Sequence, residues 1–183
     1  STSCNMLAED GIRIAIDTPL VRRHRAMNLE LLLARAPAAP AVRALAAEHG
    51  VTRPRFSPVT GTVLPNCILC ELCSRVCAHL GHAALNTIGR GDAKRVGVPF
   101  GQPSETCVGC GSCASVCPTR CIPVRDTAAA RLIWGRTFEL VSCKTCGAPV
   151  MTREHRQHAL AHAGLSEDYY DVCEPCKQSA AAA

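Results

Sequence analysis

Aromatic residues are almost missing from this chain, which has three Phe, two Tyr and one Trp among 183 residues. Proteins that bind single-stranded nucleic acid stack bases on aromatic side chains, and that platform is lacking here. The formal charge of +5 does not restore the reading, because the 20 Lys and Arg are scattered along the chain. The densest basic group, Arg22, Arg23 and Arg25, fits the solvated face of a helix or a contact with an acidic partner. No apolar run reaches the roughly eighteen residues needed to cross a bilayer. The opening residues lack the basic, apolar and small-residue succession of a signal peptide. The expectation is a cytoplasmic chain with neither membrane insertion nor a nucleic-acid partner. Also missing are a phosphate-cradling glycine loop, a dinucleotide fingerprint and a Ser/His/Asp nucleophile set, so substrate chemistry would belong to other chains.

Cysteine, by contrast, is abundant, with 14 residues. Eight of them form one rhythm used twice, Cys67-x-x-Cys70-x-x-Cys73-x-x-x-Cys77 and Cys107-x-x-Cys110-x-x-Cys113-x-x-x-Cys117-Pro118, displaced by forty residues. A disulfide scaffold has no reason to double such a run, and cysteines two apart are poorly placed to pair with each other. Zinc sites favour paired Cys-x-x-Cys knuckles over runs of four. The rhythm suits the two-cluster bacterial ferredoxin pattern, in which three close cysteines hold one 4Fe-4S cluster and the fourth crosses to the other. On that pattern Cys67, Cys70, Cys73 and Cys117 hold cluster 1, and Cys107, Cys110, Cys113 and Cys77 hold cluster 2. Gly109 and Gly111 would let the backbone wrap closely round its cluster. Pro118 would fix the turn at Cys117, whereas Cys77 is followed by Ala78 and its turn is less constrained.

A further four cysteines form two knuckles, Cys143-x-x-Cys146 and Cys173-x-x-Cys176, separated by twenty-six residues. A structural zinc ion in a ribbon-like module is the expectation, and a third 4Fe-4S cluster on the same thiolates is the alternative. Between the knuckles Glu154, His155, His158 and His162 share a helical face, read as solvated or partner-contacting. His79 and His82 are read as surface or supporting residues, because the cysteines already complete both clusters. Cys121, four residues past Cys117, is read as packing near the cluster, with a spare or substitute ligand as the alternative. Cys4 is read as a small buried hydrophobe.

The expected fold class is α+β, in three parts. Residues 1–60 contribute an N-terminal strand and helices. Ile12, Ile14 and Ile16 alternate as in a strand. A helix follows, capped at Asp17 or Thr18 with Pro19 in its first turn and ending near Ala36; a second runs from about Ala41 to His49 and closes at Gly50. Residues 61–125 form the ferredoxin-like domain, with a hairpin and loop between the two cysteine runs. Residues 136–178 form the Cys4 module, entered by a strand at Thr137 to Val141, with Asp126 to Arg131 as a connection.

The motifs Glu9-Asp10-Gly11-Ile12, Asn28-Leu29-Glu30-Leu31-Leu32-Leu33, Leu45-Ala46-Ala47-Glu48-His49-Gly50-Val51 and Arg55-Phe56 precede Cys67-Ile68-Leu69-Cys70. Gly89-Arg90-Gly91, Val98-Pro99-Phe100, Cys107-Val108-Gly109-Cys110-Gly111 and Cys117-Pro118-Thr119 follow it. Over about residues 4–125 these resemble the electron-input modules of NAD-linked hydrogenases and formate dehydrogenases, the large iron-sulfur subunit of respiratory complex I and the accessory region of FeFe hydrogenases. Two departures stand out. The three-cysteine loop that precedes Cys4 in a plant-type 2Fe-2S domain is absent from this sequence, and Ala34 to Ala44 hold none of the His and Cys ligands of a further cluster in those relatives. Ser1 opens the sequence, so upstream residues bear on the status of Cys4. The resemblance implies a non-catalytic electron-transfer subunit of a multi-subunit oxidoreductase. Its partners would be a flavin- or NAD(P)H-linked subunit and a catalytic metallo-subunit. A zinc-binding interaction or nucleic-acid protein, and a stand-alone ferredoxin, are the alternatives.

Overall fold

The computed structural model describes residues 5–61 and 64–181, so Cys4 lies outside the described residues. The chain divides into two compact units, Ser1–Pro58 and Val59–Ala183.

The first unit is a helical pair. Helix α1 spans Pro19–Arg35, with the Thr18 hydroxyl accepting the Val21 N–H and Pro19 in its first turn, as the capping signals require. Helix α2 spans Pro40–Glu48 and is followed by Gly50 at φ +72, the left-handed position that lets the chain leave a helix. Leu29, Leu33 and Ala34 of α1 and Val42 and Ala46 of α2 are buried. Glu30, buried on α1, is paired with Arg55 at 2.7 Å. The strand expected at Ile12 to Ile16 does not form, and Ile14 and Ile16 are 80% and 73% exposed. Its apolar alternation is present, but the described residues of this unit supply no second strand to take up the backbone hydrogen bonds.

The second unit carries both cysteine runs. Helix α3 (Leu72–His79) contains Cys73 and Cys77, and the short α4 (Ser112–Ser115) contains Cys113. With Ala78 rather than proline after Cys77, α3 continues past that cysteine, whereas Pro118 restricts Cys117 and α4 stops before it. Between the runs, β1 (Asn86–Ile88) and β2 (Arg95–Gly97) form an antiparallel hairpin with Thr87 opposite Val96.

After Cys121 the chain makes a four-stranded antiparallel meander, β3 (Val124–Asp126), β4 (Ala130–Ile133), β5 (Arg136–Ser142) and β6 (Pro149–Thr152). The stretch read as a connection is the turn of a hairpin with strand at both ends: β3 ends at Asp126, β4 begins at Ala130, and Arg131 forks onto Asp126 at 2.8 and 2.9 Å. Trp134 and Gly135 form the two-residue β4–β5 turn at φ +52 and +76, a primed hairpin whose twist matches that of its strands. Helices α5 (Arg153–His162), α6 (Glu167–Tyr170) and α7 (Glu174–Ala181) complete the unit.

One hydrophobic cluster joins Leu64, Cys67, Cys73, Leu85, Val96, Cys113 and Ile122 to Ile133 and Phe138. The sheet and the cysteine runs therefore share a core, and no boundary falls between residue 125 and the strands that lead to Cys143.

Candidate metal centres

The two cysteine loops repeat one another in backbone as well as sequence. Leu69 and Glu71 in the first loop lie at φ +57 and +62, and their counterparts Gly109 and Gly111 in the second at +66 and +80. A left-handed residue before and after the second cysteine curls each loop around the space in front of it. The first loop does this with non-glycine residues, and Glu71 is held by Lys94 at 2.7 Å.

Two cavities result. The first is lined by Cys67, Cys70, Cys73, Cys117 and Cys121 together with Leu64, Val96 and Ile122. The second is lined by Cys107, Cys110, Cys113 and Cys77 with Leu85, Ile133 and Trp134. In each, three sulfurs come from one loop and a further one from the other run. Cys73 and Cys77 face different cavities from the same turn of α3, four residues or about 6 Å of helix rise apart, and Cys113 and Cys117 repeat that relation in reverse.

The walls are apolar, and burial pushes the thiols of Cys73 and Cys113 up to about 11 and raises that of Cys107. Thiolates in such walls need a bound cation to offset the loss of water. The donor set and the two cavities thus fit iron-sulfur clusters. N–H donors aim at the sulfurs: Ala84 at Cys77 Sγ (3.3 Å) and the Trp134 indole at Cys113 Sγ (3.4 Å).

The sheet grips the second loop. Arg131 donates to the carbonyls of Gly109 and Cys110 at 3.1 and 3.3 Å, and Arg136 to those of Ser104 and Cys107 at 2.7 and 2.9 Å. The Thr152 hydroxyl donates to the Val108 carbonyl, and Phe138 packs against Gly109 with no room for a side chain there.

The third group is tighter. The sulfurs of Cys143, Cys146, Cys173 and Cys176 all lie within 4.8 Å of one another, with Cys146 and Cys173 at 3.6 Å. Two thiolates on one tetrahedral zinc stand about 3.8 Å apart, given a bond of about 2.3 Å. No other group of three or more His, Cys, Asp or Glu among the described residues closes to that distance. Gly147 at φ +75 makes the first knuckle. The Cys143 thiol is held down to about 6, chiefly by the Cys173 N–H at 3.3 Å, which favours a thiolate ready for a cation. Asp171, buried between Arg156 (2.7 Å) and Lys144 (2.8 Å), ties α5 and both knuckles together, and these partners hold its carboxyl down to about 2.

The histidine face of α5 is not simply solvated. His82 is buried, lines the second cavity, and its ring stands 4.3 Å from that of His158, which stacks on His162 at 4.1 Å. Desolvation lowers the pKa of both His82 and His155. Sequence spacing on α5 places the three histidines on one face but gives no sign that a residue about seventy positions earlier meets them. Trp134 was also missed; its signal was the Trp134-Gly135 pair between two apolar runs.

Two loops that curl around apolar cavities and exchange one thiol define a class, and comparison with known families agrees: residues 66–121 match the family model of a 4Fe-4S dicluster domain. Over a longer span the chain is similar to the NADPH-Fe(3+) oxidoreductase subunit alpha of Geobacter sulfurreducens, 24% identical across 91% of this chain and 22% of that one. It is 28% identical to an NADH-quinone oxidoreductase subunit of Rhizobium meliloti across 63% of this chain and 16% of that protein. The chain thus spans about a fifth or less of the length of these curated relatives. Among solved structures it is similar to an NAD+-reducing [NiFe]-hydrogenase, with a TM-score of 0.56, 25% identity, and coverage of 66% of this chain and 62% of the other.

Proposed function

We propose that this chain is a non-catalytic electron-transfer element of a multi-subunit oxidoreductase. It relays single electrons through two 4Fe-4S clusters, one held by Cys67, Cys70, Cys73 and Cys117, the other by Cys107, Cys110, Cys113 and Cys77. The reading rests on one observation, the exchange of Cys77 and Cys117 between the two cavities. Each bound cluster takes up and releases one electron. The protein supplies the rest: eight sulfurs, apolar walls that exclude water, and one turn of helix between Cys73 and Cys77 that keeps the two sites close.

Zinc is the assignment for Cys143, Cys146, Cys173 and Cys176, supported by sulfur spacings that suit one ion; a third cluster would hold the thiolates further apart around its inorganic core. This zinc-ribbon-like module then serves to brace the sheet that grips the second loop. The similarity to NADPH- and NADH-linked oxidoreductase subunits and to an NAD+-reducing hydrogenase supports partners of the same kind: a flavin- or NAD(P)H-linked subunit on one side and a catalytic metallo-subunit on the other. No described helix is long and apolar enough to cross a membrane.

Anaerobically purified protein is expected to contain about eight iron, about eight sulfide and one zinc, as the ligand sets require. Iron near zero would sink the electron-transfer reading, and about twelve iron without zinc would turn the third site into a cluster. Trp134→Phe keeps the ring but removes the N–H that donates to Cys113 Sγ. Hydrogen bonds to cluster sulfurs favour the more negative, reduced state. If this one is worth about 1 kcal/mol more to the reduced state, its loss lowers the potential of the second cluster by roughly 40 mV. An EPR-monitored redox titration checks this; an unchanged potential would show that the indole only fills space.

A further inference from the structure

The two cavities differ in one respect that the repeat does not explain. The second is lined by four cysteines, the first by five, and the extra one is Cys121. Four residues after Cys77, at the corresponding place in the first run, stands Gly81, so Cys121 is not a by-product of the duplication. Arg120, at the left-handed φ +50, turns the chain so that Cys121 returns to the cavity that Cys117 already enters. The two sulfurs stand 3.6 Å apart in direct contact. That is close to the roughly 3.8 Å between two thiolates that share one tetrahedral metal. Cys121 thus stands beside Cys117 in the cavity, where either sulfur could supply the fourth thiolate of cluster 1.

We propose that Cys121 is a stand-by ligand of cluster 1, able to replace Cys117 on the same iron. The inference rests on the two-cluster reading above. In the exchange the iron–sulfur bond to Cys117 breaks, the bond to Cys121 forms, and the Cys121 proton passes across the 3.6 Å contact to the Cys117 sulfur. One thiolate replaces another, so no electron moves and no oxidant is required. The exchange would let cluster 1 recapture its fourth iron after losing its bond to Cys117, a repair for which cluster 2 has no fifth sulfur.

The test compares anaerobically purified wild type with Cys117→Ala, Cys121→Ser and the double variant Cys117→Ala/Cys121→Ala, by iron content and EPR in the oxidised and dithionite-reduced states. Cys117→Ala is expected to retain about eight iron and two reduced four-iron signals, because Cys121 takes over. The double variant is expected to fall to about seven iron and to show the signal of an oxidised three-iron cluster. A Cys117→Ala protein that already shows the three-iron signal at the double variant's level would overturn the proposal. Should Cys117→Ala fail to accumulate, Cys121→Ser decides alone. Its three-iron signal should grow several-fold faster than in wild type during ferricyanide oxidation, and equal rates would reject a stand-by role. Wild type lacking about eight iron would instead count against the two-cluster reading itself.

Discussion

Replacing Gly109 by alanine should cost the protein its second cluster, with iron falling from about eight towards four while the first cluster persists. Gly109 sits at φ +66, where a side chain costs about 1 kcal/mol or somewhat more. A Cβ there would lie 2.7 Å from Cγ and Cδ2 of Phe138 and 3.0 Å from Thr152 Cγ2. Neither neighbour has room to retreat, since both are fully buried and Phe138 also packs under the Arg136 guanidinium at 4.7 Å. Overpacking of this sort adds about 1–3 kcal/mol, so the loop would be forced off the sheet. Two comparisons isolate the cause. Gly111→Ala, at φ +80, meets only the guanidinium of Arg131, with Nη1 at 3.3 Å, and should lose about the backbone cost of 1 kcal/mol together with some of the Arg131 grip on Gly109 and Cys110, less than the clash with Phe138 costs. In the first loop, Leu69 already occupies the matching position at φ +57, so the conformation alone is tolerable. Iron content and the thermal melt of the three proteins report the outcome. Equal behaviour of Gly109→Ala and Gly111→Ala would show that Phe138 yields.

Removing the metal from the third site should release helices α5 to α7 while leaving the iron in place. The span after β6 has little core of its own: α5 buries none of its residues completely, and α6 buries only Tyr170. What attaches it is the Cys4 group, the Arg156–Asp171–Lys144 contacts, the Arg153–Glu139 pair and the ring contact of His158 with His82. Metal binding at structural zinc sites is worth about 10–16 kcal/mol at neutral pH, and that energy is folding energy. A zinc chelator, or Cys173→Ser, is therefore expected to reduce helical circular dichroism and to open residues 153–181 to trypsin. Iron should stay at about eight at first, because the sheet still grips the second loop through Phe138, Arg131 and Arg136, but the second cluster should then be lost faster in air. An unchanged digestion pattern after zinc loss would assign the bracing to the salt bridges alone. Iron released in step with zinc would instead mean that the third site and the clusters unfold together.

Much of this was legible in the chain itself, for local physical reasons. Thr18, Pro19, Pro37 and Gly50 mark the ends of α1 and α2 because capping and φ restriction act within a few residues. The grouping of eight cysteines about two cavities follows from intervals that one loop and one helical turn dictate. The Cys143–Cys146 and Cys173–Cys176 knuckles likewise announce a shared site, and α+β was the correct class. The N-terminal alternation misled because a strand is defined by its partner, and Ile12, Ile14 and Ile16 have none among the described residues.

What the sequence determined by itself is therefore the grouping of the cysteines and its rhythm, since thiols at fixed short spacings constrain which sulfurs meet. Only the tertiary structure decided what surrounds them. Distant segments fold back so that Phe138 closes on Gly109, Trp134 reaches Cys113, His158 meets His82, and Cys121 comes to rest against Cys117. Those contacts depend on sheet register and on burial in a common core, which arise from packing across long separations rather than from any local pattern.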